Sequence, residues 1–237
     1  MKDWAISSEN DVYDNLAYTI GFLLGDGSLD CCPYKDKNGV RRFHNNVVFV
    51  CSDEEPILRV QQQLEAVFDY KYSINSRILK SGLKHWRIAI GRRDAFDWFS
   101  VNTNWKGKVP DYYFSADNEV KKEVIRGLMD SDGHCAEFVD TFRGKDKGVK
   151  RWTIGFSNNK IEIINNCAAL MQMVGIKVGK IAEGKKKGYR ATYMIRPNPR
   201  SFHEAGMFFY ASRKQEKFDR YVEHVIGSET LRATPSI

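Results

Sequence analysis

Two carboxylates carry the chemistry that this sequence offers most directly. Asp26 closes the run Ile20-Gly21-Phe22-Leu23-Leu24-Gly25-Asp26-Gly27, and Asp132 closes Ile125-Arg126-Gly127-Leu128-Met129-Asp130-Ser131-Asp132-Gly133. Each run is apolar at helical spacing and holds small residues four apart, Gly21 and Gly25 in the first, Gly127 and Ser131 in the second. Small residues at that spacing share one helix face and let two backbones approach closely. If the runs pack there, the two aspartates arrive side by side at the helix ends. One Asp-Gly at a helix end reads as a helix stop. Two such ends at one interface require a divalent cation or a protonated pair. Oxygen ligands of this kind suit Mg²⁺, with Mn²⁺ tolerated and Ca²⁺ able to bind without the right chemistry. No His/Cys set has zinc spacing. His134-Cys135-Ala136-Glu137 lacks the P-C-x-x-C that a zinc deaminase would add.

The elements that position these aspartates also occur twice. Asp11 to Asp14 offer N-caps for a helix through Leu16, Ile20, Leu23 and Leu24, which Gly25 and Gly27 end. Residues 28–35 and 41–51 read as a hairpin around Lys37-Asn38-Gly39. A helix through Ile57, Val60, Leu64 and Phe68 follows, then a hairpin of 70–79 and 84–90, then a helix from Asp94 to about Val101. Residues 102–115 read as an inter-domain linker. The series restarts with a helix from Asp117 or Asn118 to Gly133. It continues with a hairpin of 134–142 and 149–157, a helix through Ile161 to Met171, a hairpin of 176–182 and 189–195, and helices over 199–210 and 213–226. Asp26 and Asp132 stand 106 residues apart, Ser52 and Ser157 105, Ile90 and Ile195 105. Three landmarks at nearly one offset make an internal duplication. The expected domains are 1–101 and 116–237.

Composition sets bounds on the function class. The chain has 237 residues, 42% of them hydrophobic and 13% aromatic, enough for packed cores. Its net charge of +7 suggests a polyanionic partner without proving one. No signal peptide or membrane span is visible, so an intracellular protein is expected, in cytoplasm or organelle matrix. Five cysteines without CxxC spacing argue against a disulfide framework and read as buried small hydrophobes.

The two Asp-Gly runs closely resemble the paired signature motifs of single-chain LAGLIDADG homing endonucleases. The resemblance implies an α+β protein of two pseudo-symmetric αββαββα domains whose antiparallel sheets form a DNA-binding saddle. It implies a monomer that binds double-stranded DNA, without an obligate protein partner, and hydrolyses phosphodiesters in a long target to leave short 3′ overhangs. It further implies that Asp26 and Asp132 hold catalytic Mg²⁺ with the carbonyls of Gly25 and Ser131 as neighbours. Lys214, in the basic segment Arg213-Lys214 to Lys217, is the preferred pocket lysine, against the alternative of a solvated helix face. Motif one departs from the family in having Leu24 at the first acidic position, which motif two keeps as Asp130. Arg126 replaces a small or apolar residue and reads as snorkelling or pairing with an acid. Ser52, Asp53, Ser157 and Asn158 could order water at the metals, but helix N-capping is the preferred reading.

Alternation assigns the sheet faces. Val47, Phe49, Trp152 and Ile154 face inward, while His44, Asn46, Arg151 and Thr153 face outward, joined by Ser28, Asp30, Cys32 and Tyr34. Ser73, Asn75, Arg77, Arg87, Lys177, Arg190 and Thr192 are candidates in the remaining strands. The turns are basic, with Lys35, Lys37, Arg41, Arg42, Arg143, Lys145, Lys147, Lys185, Lys186 and Lys187 suited to phosphates. No protein-splicing block is visible, because the chain opens Met1-Lys2 and has no terminal His-Asn, so an intron-encoded or free-standing mobile-element protein is expected. The rival reading is a non-cleaving nucleic-acid-binding protein of the same fold, an RNA maturase or a transcription regulator. A small-substrate enzyme is weaker still, since no nucleophile–base motif or phosphate-cradling glycine loop is present.

Overall fold

The computed structural model describes residues 4–6, 8–139, 141, 148, 150–184 and 191–227, with only the main chain at Arg42. Helix α1 (Glu9–Asn15) is capped by Ser8, whose Oγ accepts from the Asp11 N–H at 3.1 Å. The expected caps Asp11 and Asp14 therefore lie inside the helix. Leu16 then donates to both Val12 O and Tyr13 O, tightening the turn, and α2 (Ala17–Leu24) restarts beyond it. All eight residues of α2 are buried, as a helix apolar on every side must be.

The chain continues through β1 (Ser28–Lys35), β2 (Arg41–Cys51), α3 (Glu54–Phe68), β3 (Asn75–Ile78), β4 (Lys84–Ile90) and α4 (Arg93–Asn102). After α5 (Tyr112–Ser115) and α6 (Asn118–Ser131) come β5 (Gly133–Val139), β6 (Lys150–Asn158), α7 (Ile161–Met173), β7 (Ala182–Gly184) and β8 (Thr192–Ile195). Helices α8 (Pro199–Glu204) and α9 (Ser212–Tyr221) follow, and α9 runs into a π-helical turn over Val222–Gly227. The two antiparallel sheets have matching orders, β1-β2-β4-β3 and β5-β6-β8-β7. The α+β class and the duplication are thus realised in the topology.

Several local expectations change. Residues 102–115 are packed, with Thr103, Val109 and Tyr113 fully buried. Asn104, Trp105 and Lys106 form three successive left-handed residues there (φ 45°, 52° and 62°). The strand expected over 70–79 is reduced to β3, which leaves Ser73 outside it. The strand expected over 176–182 is reduced to the single bridge Val178–Pro197 before β7, so Lys177 is exposed beside the sheet rather than in it. The helix expected over 199–210 stops at Glu204, where Gly206 takes φ 71°. Cys51, Cys135 and Cys167 are buried as expected, but Cys31 and Cys32 are exposed, because the β1–β2 hairpin extends beyond the helices that cover its base.

Helices α2 and α6 cross with their small residues in contact. A Cβ on Gly21 would overlap the Val124 carbonyl, one on Gly25 the Ser131 hydroxyl, and one on Gly127 the Tyr18 carbonyl. Phe22, Leu23, Leu128 and Met129 flank the crossing in the core. No described helix is long and apolar enough to cross a membrane.

Candidate functional site

The crossing delivers Asp26 and Asp132 to one end of the helix pair. Asp26 follows the Gly25 cap of α2, and Asp132 is the C-cap of α6, its N–H bonded to Leu128 O at 3.2 Å. Asp26 keeps solvent contact, yet the surrounding protein raises its carboxyl above the ordinary range; Lys214, Lys106 and His85 pull it back down. Asp132 is raised first by burial and next by the charge of Asp26. The two carboxylates therefore feel each other across the groove.

A lysine serves each side. Lys214 is 6% exposed, and its Nζ donates to Met129 O (2.9 Å), Asp130 O (2.6 Å) and Ser131 O (3.2 Å). It is thus a buried cap on the last carbonyls of α6 rather than part of a solvated face, and its three N–H groups are used. Lys106 does the same for α2, donating to Gly25 O at 3.0 Å and to Gly27 O. Burial lowers both lysines, with Lys160 adding to the effect on Lys106, while the aspartates oppose it. The left-handed turn at 104–106 aims Lys106. The sequence reading missed this residue, although its separation from Lys214 is close to the repeat offset.

The pocket on the Asp26 side, about 330 Å³, is lined by Ser52, Asp53, His134, Arg213, Lys214 and Lys217 among others. Its counterpart on the Asp132 side, about 430 Å³, is lined by Gly25, Lys106, Ser157, Asn158, Lys160 and Thr192 among others. Neither Asp53 nor Asn158 behaves as a simple cap. Asp53 makes no side-chain cap bond and pairs with Arg213 at 3.2 Å. Asn158 accepts from Lys160 N at 2.9 Å and donates to Asp132 Oδ2 at 2.8 Å, so it orients the carboxylate directly.

Asp130 locks the Lys214 side. It is 1% exposed and accepts from Tyr18 Oη (3.0 Å), Tyr210 N (3.0 Å) and Ala211 N (3.2 Å). Those bonds tie α2 and the start of α9 to the end of α6. Burial raises its carboxyl to about 6 despite the opposing Lys214 charge. Asp130→Leu, which copies Leu24, should strand three buried donors and cost about 3–6 kcal/mol in urea unfolding; an unchanged midpoint would deny the clamp. Arg126 pairs with Glu123 at 2.7 Å, as read from sequence.

Strand registry puts most of the expected reading residues on one face. Asp30 pairs with Asn46, Cys32 with His44, and Tyr34 with Arg42; Asn75 pairs with Arg87 and Arg77 with His85. Ser28 shares that face with Val48, and the Tyr34 and His44 rings stack at 3.9 Å. Arg151 and Thr153 share a face with Phe138 and Ala136, and Thr192 pairs with Gly184. Lys35, Lys37 and Arg41 are exposed at the first hairpin tip. Lys150, at opposite parity to Arg151, pairs with Glu137 at 2.8 Å. Arg143, Lys145, Lys147, Lys185, Lys186, Lys187 and Arg190 lie outside the described residues.

The donor set fits a hard divalent cation. Two mutually repelling carboxylates and backbone carbonyls stand at the same end of the α2–α6 crossing, although Gly25 O and Ser131 O also accept from the lysines. Among the described residues no cluster of three or more His, Cys, Asp or Glu side chains could hold a metal. The fold is that of solved homing endonucleases. I-DmoI in complex with DNA and Ca is 14% identical with a TM-score of 0.53, the match covering 81% of this chain and 87% of that one. I-SmaMI, a LAGLIDADG homing endonuclease, bound to cleaved DNA is 13% identical with a TM-score of 0.55, covering 92% and 91%. The same protein on uncleavable DNA gives 14% and 0.56 over the same shares. No protein-family model matches the sequence, and no curated protein matches it.

Proposed function

We propose that this chain is a site-specific, metal-dependent double-stranded DNA endonuclease of the LAGLIDADG type. The observation that carries the reading is the meeting of Asp26 and Asp132 at the ends of two glycine-notched helices, in a fold shared with proteins seen on DNA with Ca, Mn or Mg. Residues 1–101 and 116–237 form the two halves of a monomer, and the outward sheet faces follow the major groove.

Asp26 and Asp132, with the carbonyls of Gly25 and Ser131, would hold Mg²⁺. When bound, that cation stabilises charge on the phosphate and makes a water more acidic. The remaining work belongs to the chain. Asn158 holds the Asp132 carboxylate in one orientation. Lys106 and Lys214, fixed on helix-end carbonyls, keep positive charge beside each aspartate and favour the anionic form. Preorganised charge of this kind needs no rearrangement when the phosphate arrives. Asp30, Cys32, Tyr34, His44, Asn46, Ser28, Asn75, Arg77, Arg87, Arg151, Thr153 and Thr192 present hydrogen-bonding and apolar edges to bases. Each half cuts one strand, leaving short 3′ overhangs.

A plasmid library with randomised inserts should be linearised at selected sites in Mg²⁺ and left intact in EDTA. Binding without cleavage in Mg²⁺ would favour the non-cleaving reading instead. Duplex affinity should fall with salt, and Lys35→Ala with Lys37→Ala should flatten the log–log slope by about 2. An unaltered slope would remove that hairpin tip from the phosphate contacts.

A further inference from the structure

The two halves match in topology but not in the chemistry of their pockets, and His134 is where they differ most. It stands two residues beyond Asp132 on the outward face of β5, yet it lines the pocket of the other half, together with Asp26 and Lys214. Its partner across the strands is Gly155. A Cβ on Gly155 would come within 2.7 Å of the imidazole Nε2, so the missing side chain is what lets the ring lie over the sheet at the pocket rim. At the corresponding position of the first half, Ser28 pairs with Val48, and neither lines the Asp132 pocket. The Asp26 pocket therefore has an aromatic nitrogen ligand for hydrogen bonding, while the Asp132 pocket has the Asn158 amide.

We infer that His134 donates a hydrogen bond to a phosphate oxygen at the Asp26 half alone, and that it is a catalytic residue for one strand and not for the other. This rests on the endonuclease reading. The ring is half-buried and lies against the Gly155 backbone at the pocket rim. An imidazole carries at least one N–H donor whether neutral or charged, so the ring can donate to a phosphate oxygen in either state. A donor aimed at developing charge in a partly closed pocket acts on rate more than on binding.

The test compares His134→Phe, which keeps a flat ring over Gly155, with His134→Gln, which keeps an N–H donor. The probe is an end-labelled duplex carrying a site recovered as cleaved from the randomised library, cut in Mg²⁺ under single-turnover conditions, with each strand followed separately. His134→Phe should slow one strand about 10- to 100-fold, leave the other near the parental rate, and accumulate nicked duplex at unchanged affinity. His134→Gln should recover part of that loss. Equal rates on both strands, or equal slowing of both, would overturn the inference while leaving the endonuclease reading in place. If the library yields no cleaved site, the endonuclease reading falls and this inference with it.

Discussion

Asp26→Asn and Asp132→Asn are each expected to abolish double-strand cleavage while duplex affinity stays within a few-fold of the parent. The aspartates sit at the helix ends, whereas the residues assigned to the duplex lie along the outward sheet faces, so binding and cutting separate spatially. Asparagine preserves size and one oxygen but removes the charge that attracts a divalent cation. The loss should exceed 10³-fold, as expected when a direct charge on the reacting centre is removed. Unchanged cutting in both variants would refute the ligand assignment. A second readout needs no target. Both carboxyls are held above their ordinary values, so the folded chain retains protons that the unfolded chain has released. Without cation, their contribution to stability is therefore lost as pH rises through the raised folded values and returns as pH falls. Mg²⁺ should raise the Tm most on the alkaline side of that window, and the double asparagine variant should show neither the pH dependence nor the Mg²⁺ shift.

Parts of this site are legible in sequence because their cause is local. Helical period and small residues put Gly21, Gly25, Gly127 and Ser131 on facing stripes, and strand alternation assigns Asp30, Asn46 and Thr153 to the outward faces of their sheets. The near-constant repeat offset then marks the two runs as equivalent elements of a duplicated unit. What escaped is tertiary. Lys106 reaches Gly25 O through a turn in which three non-glycine residues take positive φ, a conformation that Asn104 tolerates but that no propensity favours at Trp105 and Lys106. Hydrogen bonds made by the neighbouring backbone hold that turn, Trp105 N to Ser100 O at 2.8 Å and Gly107 N to Thr103 O at 2.7 Å. Asp53 and Asn158 are capping residue types just before helices, yet Asn158 ends β6 two residues before the α7 cap. Only their partners show that Asn158 orients Asp132 and Asp53 pairs with Arg213. The role of Asp130 depends on Tyr18 from another helix and on the 210–211 backbone, more than 75 residues away, contacts that no local pattern encodes. Within the stretch 176–182 Gly179 offers no side chain to pack on a sheet, and only the Val178–Pro197 bridge forms there before β7.

Gly127→Ala is expected to be among the most destabilising single substitutions in the chain, although helix propensity alone points the other way. Alanine in a helix interior is favoured over glycine by about 1 kcal/mol, so an unconstrained α6 would gain stability. Against this, a Cβ at Gly127 would come within 2.6 Å of Phe22 N and overlap the Tyr18 carbonyl. Both are α2 backbone, and neither can swing aside as a side-chain tip would. The helices must therefore separate, and with them the fully buried stripe of Phe22, Leu23, Leu128 and Met129. Forced overpacking costs about 1–3 kcal/mol where side chains can adjust, and more where backbone must move. A net loss of roughly 3–5 kcal/mol is a large part of the about 5–15 kcal/mol that holds a domain folded. Gly39→Ala is the matched control. That glycine has φ 76° with nothing within 4 Å of a new Cβ, so only backbone strain of about 1 kcal/mol applies. Urea unfolding should rank the two variants in that order. If Gly127→Ala proved as stable as the parent, the helices would not meet at this glycine. The two carboxylates would then lack the geometry that brings them into one groove.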